Sequence, residues 1–179
     1  VRNALALLPP LVATCSGSET VALWQSGAEG PMRSLRHAAP VADIHFFPAG
    51  DRLLTLGSGL VVWDIWAGRV LLELASPIAA VIFPDGERLV TLSEGVSVTV
   101  WRVASGDVLL RFGIPWQHRA LRLLGDGGRV VTGVSTASDP VVLWGTGDGR
   151  EARRFSHPGE QVRSFMASRC GARLGTAGF

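Results

Sequence analysis

The sequence predicts an all-β chain built from repeated four-stranded antiparallel sheets, and three markers that keep step predict it. Trp24, Trp63, Trp101 and Trp144 are separated by 39, 38 and 43 residues, a spacing that marks an internal repeat. Each Trp follows a Thr set in an apolar run: Thr14 in LVATCSG, Thr55 in LLTLGSG, Thr91 in LVTLSEG and Thr132 in VVTGVST, with Thr176 in LGTAGF opening a fifth copy. A turn precedes that Thr, as FPAGDR at 47–52, FPDGER at 83–88 and LGDGGR at 124–129.

These markers divide the chain into copies at about 1–36, 37–74, 75–112 and 113–156, with a partial copy at 157–179. Within each, short runs rich in Val and Leu alternate with Gly, Pro, Asp and Ser, which reads as strands and tight turns. The first copy begins RNALALLPPLVATC. An Arg, an apolar stretch and a Cys after small residues superficially match a lipoprotein leader, but Pro9 and Pro10 break the run and the repeat register accounts for the same residues without a leader. In the second copy, TLGSGLVVWDIWAGRVLLEL at 55–74 supplies strand, turn and strand in succession. The third is expected to hold strands near 78–83, 88–93, 97–103 and 107–112. Runs such as VVTGV and VLLEL are apolar at nearly every position, which is expected of strands covered on both faces. No helix of useful length is expected.

With these markers in place, the chain resembles the WD-repeat β-propellers, whose repeats of roughly 40–45 residues each form a four-stranded blade. The resemblance implies a β-propeller segment of four complete blades and the start of a fifth, an open arc in this chain. Only Trp63-Asp64 keeps the dipeptide that gives the family its name; Gln25, Arg102 and Gly145 follow the other three tryptophans. The family also links a His, a Ser or Thr, an Asp and the Trp in a buried hydrogen-bonded chain. By resemblance, the fourth copy supplies the whole chain in His118, Thr132, Asp139 and Trp144. The second supplies His37, Thr55 and Trp63 with a shortened turn that lacks the Asp, and the fifth shows His157 and Thr176. Trp116 falls in a loop that the family places on its partner-binding rim, with Arg119 beside it and Arg36 and Glu94 as further rim residues.

Composition narrows the chemistry. Hydrophobic residues make up 47% and charged residues 18%, below the roughly 25% charge content usual in soluble domains. All 17 basic residues are Arg, so a Walker-type phosphate loop and a Schiff base, which each need Lys, are excluded. The net charge of +2 is small, and Arg150, Arg153 and Arg154 form the one modest cluster. A nucleic-acid binder needs a basic stripe, so nucleic acid is not expected as a partner. Cys15 and Cys170 stand alone in the sequence, which fits neither a disulfide framework nor a zinc site.

Thr132, His118 and Asp139 are also the residue types of a nucleophilic triad. The structural chain accounts for the same three residues, for Trp144 and for the partial copies elsewhere, so it is preferred. The Gly-rich stretches at 125–129 and 145–151 lead into strands, not into a helix N-terminus that could face a phosphate. His45 is expected to be a hydrogen-bonded core or edge residue, and Trp66 a lid over a blade edge. The expected function is a non-catalytic protein-interaction scaffold, part of a larger intracellular, cytoplasmic protein, needing no cofactor or metal. Its expected partners are proteins or peptides, and further blades from the same polypeptide or another chain, with no membrane. The alternatives are a hydrolase using His118 with Thr132, a metal in the propeller channel, or a nucleic-acid-binding propeller.

Overall fold

A computed structural model describes residues 4–8, 10–75, 77–94, 96–115, 118–133, 140–156, 162–168 and 173–178. The chain divides into two compact units, Val1–Pro77 with Val103–Ser105, and Ile78–Arg102 with Gly106–Phe179.

The first unit holds two four-stranded antiparallel sheets whose strands follow one another in sequence order. One is β1 (Ala4–Leu8), β2 (Leu11–Cys15), β3 (Thr20–Gln25) and β4 (Arg33–Arg36). The other is β5 (Asp43–Phe46), β6 (Arg52–Leu56), β7 (Gly59–Asp64) and β8 (Arg69–Ala75). Side chains of both sheets share one apolar core, in which Leu23 and Leu35 meet Ile44, Leu53 and Trp63.

The second unit, which starts at Ile78, holds the sheet of β9 (Pro77–Ile82), β10 (Arg88–Ser93), β11 (Ser97–Arg102) and β12 (Val108–Gly113). A second sheet comprises β13 (Ala120–Leu123), β14 (Arg129–Gly133), β15 (Val141–Gly145) and β16 (Glu151–Phe155), and β17 (Val162–Ala167) pairs with β18 (Leu174–Gly178). Val98, Val100, Leu121, Val130 and Trp144 lie in one core, while Leu143 and Val141 pack with Phe165 of β17 in another. Among the described residues there is no helix.

The all-β, repeated-sheet expectation therefore holds, and the four strands expected in the third copy lie within a residue or two of β9–β12. The repeated turn has a repeated cause. Phe47 N–H donates to Arg52 O and Gly50 N–H to Phe47 O; Phe83, Arg88 and Gly86 make the same pair, as do Leu124, Arg129 and Gly127. The central glycines have φ of 74°, 69° and 74°, a left-handed conformation that a side chain disfavours.

One expectation about burial fails. The middle strands β7, β10 and β15 are buried at four successive positions, but the VLLEL run belongs to β8, where Val70 is 46% and Leu71 36% exposed. β8 is the outermost strand of its sheet. Apolar composition alone does not reveal which strand of a sheet ends the stack.

Candidate functional site

The recurring polar feature of the fold is a Thr–Trp pair in every four-stranded sheet described. Trp24 Nε1–H donates to Thr14 Oγ1 at 2.9 Å, Trp63 to Thr55 at 2.9 Å, Trp101 to Thr91 at 2.9 Å and Trp144 to Thr132 at 2.8 Å. Register explains the repetition. Thr14, Thr55, Thr91 and Thr132 pair with Ala22, Val61, Thr99 and Val142, and each Trp sits two residues further along, diagonal to its Thr on the same face. A shift in strand register falls just before Trp63, Trp101 and Trp144.

In the fourth copy the chain extends to the imidazole. Thr132 Oγ1 lies 2.8 Å from His118 Nδ1. Because the indole can only donate, the threonine oxygen accepts from it, and the direction of its bond to Nδ1 follows the imidazole tautomer. His118 and Thr132 are both 0% exposed. A hydroxyl so enclosed has no path to a substrate, so the arrangement meets the hydrogen bonds of a buried link but not the access that a nucleophile requires.

The second copy departs from what the sequence suggested. His37 does not reach Thr55: its Nδ1 lies 3.0 Å from Ala39 O and 3.2 Å from Ala39 N, and the Thr55 hydroxyl donates instead to Val61 O at 3.3 Å. The short β6–β7 turn is the reason. Gly57 N–H closes it on Gly59 O, and a Cβ at Gly57 would sit 2.5 Å from Pro40 O and 3.4 Å from His37 Cε1. The turn fits only as glycine and carries no Asp to draw the imidazole in. His37 Nε2 is consequently buried with no hydrogen-bond partner among the described residues.

Asp64, the one Asp to follow a repeat Trp, works in the turn. Its Oδ1 accepts the N–H groups of Trp66 and Ala67 at 3.0 and 2.9 Å. The Ala67 N–H is the main cause of a carboxyl held below its ordinary value, with Trp66 and Arg69 adding to it against the cost of desolvation. The dipeptide is visible in the sequence but its role in the turn is not, beyond the signal of an Asp four residues before Gly68. Trp66 itself is 57% exposed and so is not a lid, because its backbone is fixed outward by Asp64 and by Arg33 Nη2, which donates to Trp66 O at 2.8 Å.

Three of the expected rim residues lie where the second strand of a sheet turns into the third, or where one sheet passes to the next. Arg36 ends β4 and faces Glu19 of the β2–β3 turn at 3.6 Å. Glu94, in the β10–β11 turn, is exposed with a φ of 52°. Exposed Arg119 leads into β13, its N–H bonded to Gly133 O at 3.3 Å. Trp116, Asp139, His157 and Cys170, and the side chain of Thr176, lie outside the described residues. His45 is exposed and bonds Asp43 Oδ2 at 3.0 Å. Cys15 is buried. Among the described residues no group of three or more His, Cys, Asp or Glu side chains could hold a metal, and no helix is long and apolar enough to cross a membrane.

No family model matches the chain. An uncharacterized WD repeat-containing protein of Schizosaccharomyces pombe is 36% identical over 104 residues, covering 55% of this chain and 26% of that protein. The sheets and their Thr–Trp pairs agree with that likeness. The repeats are similar to those of WD-repeat proteins. The U3 small nucleolar RNA-associated protein 15 homologues of Xenopus tropicalis and Xenopus laevis are each 28% identical, over 73% and 70% of this chain. The chain spans about a quarter of the length of the curated relatives it matches. Its fold is similar to a chain of Kuenenia stuttgartiensis hydrazine synthase, with a TM-score of 0.80 at 14% identity over 98% of this chain and 55% of that one; at that identity the likeness concerns fold alone.

Proposed function

We propose that this WD-repeat chain is a non-catalytic protein-interaction scaffold, contributing its repeats to a larger protein and displaying loops at the ends of its sheets. The observation that carries the reading is the full burial of His118 and Thr132 together with the indole bond to the threonine. The groups best suited to chemistry are consumed inside the sheet, while charged side chains with freedom to meet a partner, Glu94 and Arg119, stand at strand ends. Loops held on a rigid scaffold are the usual place for recognition, and affinity then comes from pre-organisation and a few anchors.

An intracellular location belongs to the same reading. The name of the Xenopus relatives points to a nucleolar RNA-associated assembly, which favours the nucleolus over the cytoplasm and a role in docking proteins within an RNA-containing complex. Affinity capture from a native extract, using the longest natural chain in wild-type form and with Trp116→Ala or Arg119→Glu, tests the proposal. Loss of a defined set of partners with the fold intact supports it. Identical partner sets, or a hydrolytic activity abolished by Thr132→Val without loss of stability, contradict it.

A further inference from the structure

A cavity of about 250 Å³ opens in the second unit beside β14, β15, β16 and β18, and Arg129, Arg153 and Arg173 line it together with Leu143, Phe155 and Leu174. No carboxylate is among its described lining residues. The origin of this charge lies in the repeated turn. Arg52 stacks over Phe47 at 4.9 Å and bonds Asp51 Oδ1; Arg88 stacks over Phe83 at 4.2 Å and bonds Asp85 Oδ2 at 2.7 Å. In the third such turn Leu124 replaces the phenylalanine, and Asp126 accepts from Gly128 N–H. Arg129 there has neither an aromatic face nor an ion pair among the described residues. Arg153 lies over Phe155 at 5.0 Å, whereas its neighbour Arg154 is neutralised by Glu151 at 2.8 Å. The Arg173 backbone N–H bonds Ser168 Oγ, which fixes its place at the start of β18.

We propose that this cavity docks an acidic peptide segment of a partner protein, its carboxylates meeting the three guanidiniums and one apolar side chain entering against Leu143, Phe155 and Leu174. Arg clusters recognise acidic motifs through paired, directional N–H donors. The volume lies below the roughly 300–1,000 Å³ of small-molecule sites, and suits a side chain. The inference rests on the scaffold reading above and names one class of partner for it.

The test measures fluorescence anisotropy of a labelled peptide of alternating Glu and Leu against the longest natural chain, with a Lys-Leu peptide and a single-stranded RNA as controls. The Glu-Leu peptide binds and weakens with salt, the Lys-Leu peptide does not bind, and Arg129→Glu with Arg173→Glu weakens binding by at least about tenfold while the melting temperature is held. Absence of binding, binding indifferent to both substitutions, or RNA binding more tightly through the same arginines overturns the proposal. So does protection of Arg129 and Arg173 from phenylglyoxal before peptide is added, since the polypeptide's own continuation then covers the cavity. If Arg119→Glu still removes a captured partner when the peptide fails, the cavity assignment falls alone.

Discussion

Trp144 donates its indole N–H to Thr132 Oγ1 at 2.8 Å, and the same oxygen stands 2.8 Å from His118 Nδ1. One hydroxyl thus serves two buried rings, and its removal takes a hydrogen bond from each. Thr132→Val, nearly isosteric, is expected to destabilise the protein by ~2–4 kcal/mol, because a buried polar group left without its partner costs ~1–3 kcal/mol. Urea unfolding with an unchanged slope checks it.

The third copy provides the comparison. Thr91 accepts from Trp101, and its copy has no histidine at the matching place. Thr91→Val is expected to cost ~1 kcal/mol, less than Thr132→Val in the same urea series. Equal costs would show that His118 adds nothing to the link.

Gly57→Ala probes the contracted turn. The new Cβ meets the Pro40 carbonyl at 2.5 Å, a backbone atom that cannot swing aside, so the variant is expected to lose ~1–3 kcal/mol, the usual cost of overpacking. A melting temperature within error of wild type would refute the packing described between this turn and the His37–Pro40 segment.

Asp64 carries an acid-side dependence. Its folded carboxyl is held below its ordinary value, chiefly by the Ala67 N–H. A depressed carboxylate contributes fully above its ordinary value and loses that contribution as pH falls through the folded value. Asp64→Asn should therefore flatten the decline in stability below about pH 4 relative to wild type, read from melting temperatures across the acid range; an unchanged decline would contradict the assignment.

Much of this architecture was legible because it repeats. The Trp and Thr periods located four sheets, and the turn at 83–88 placed β9 and β10 nearly to the residue. What escaped depends on contacts distant in sequence. VLLEL looks doubly covered, yet β8 ends its sheet and leaves Val70 and Leu71 in solvent. His37 has the right spacing to reach Thr55, yet a turn short by its Asp sends the imidazole to Ala39. The change of Phe83 to Leu124 between turns was visible in the sequence, but its consequence for Arg129 required knowing that Arg153 and Arg173 converge on the same cavity.

The central claim is that recurring indoles are fastened to threonines inside the sheets. Hydrogen exchange of the tryptophan Nε1–H groups, followed by NMR, tests it most directly. The account predicts strong protection at Trp24, Trp63, Trp101 and Trp144, lost at Trp144 alone in Thr132→Val, and rapid exchange at exposed Trp66. Exchange at those four indoles as fast as at Trp66 would contradict it.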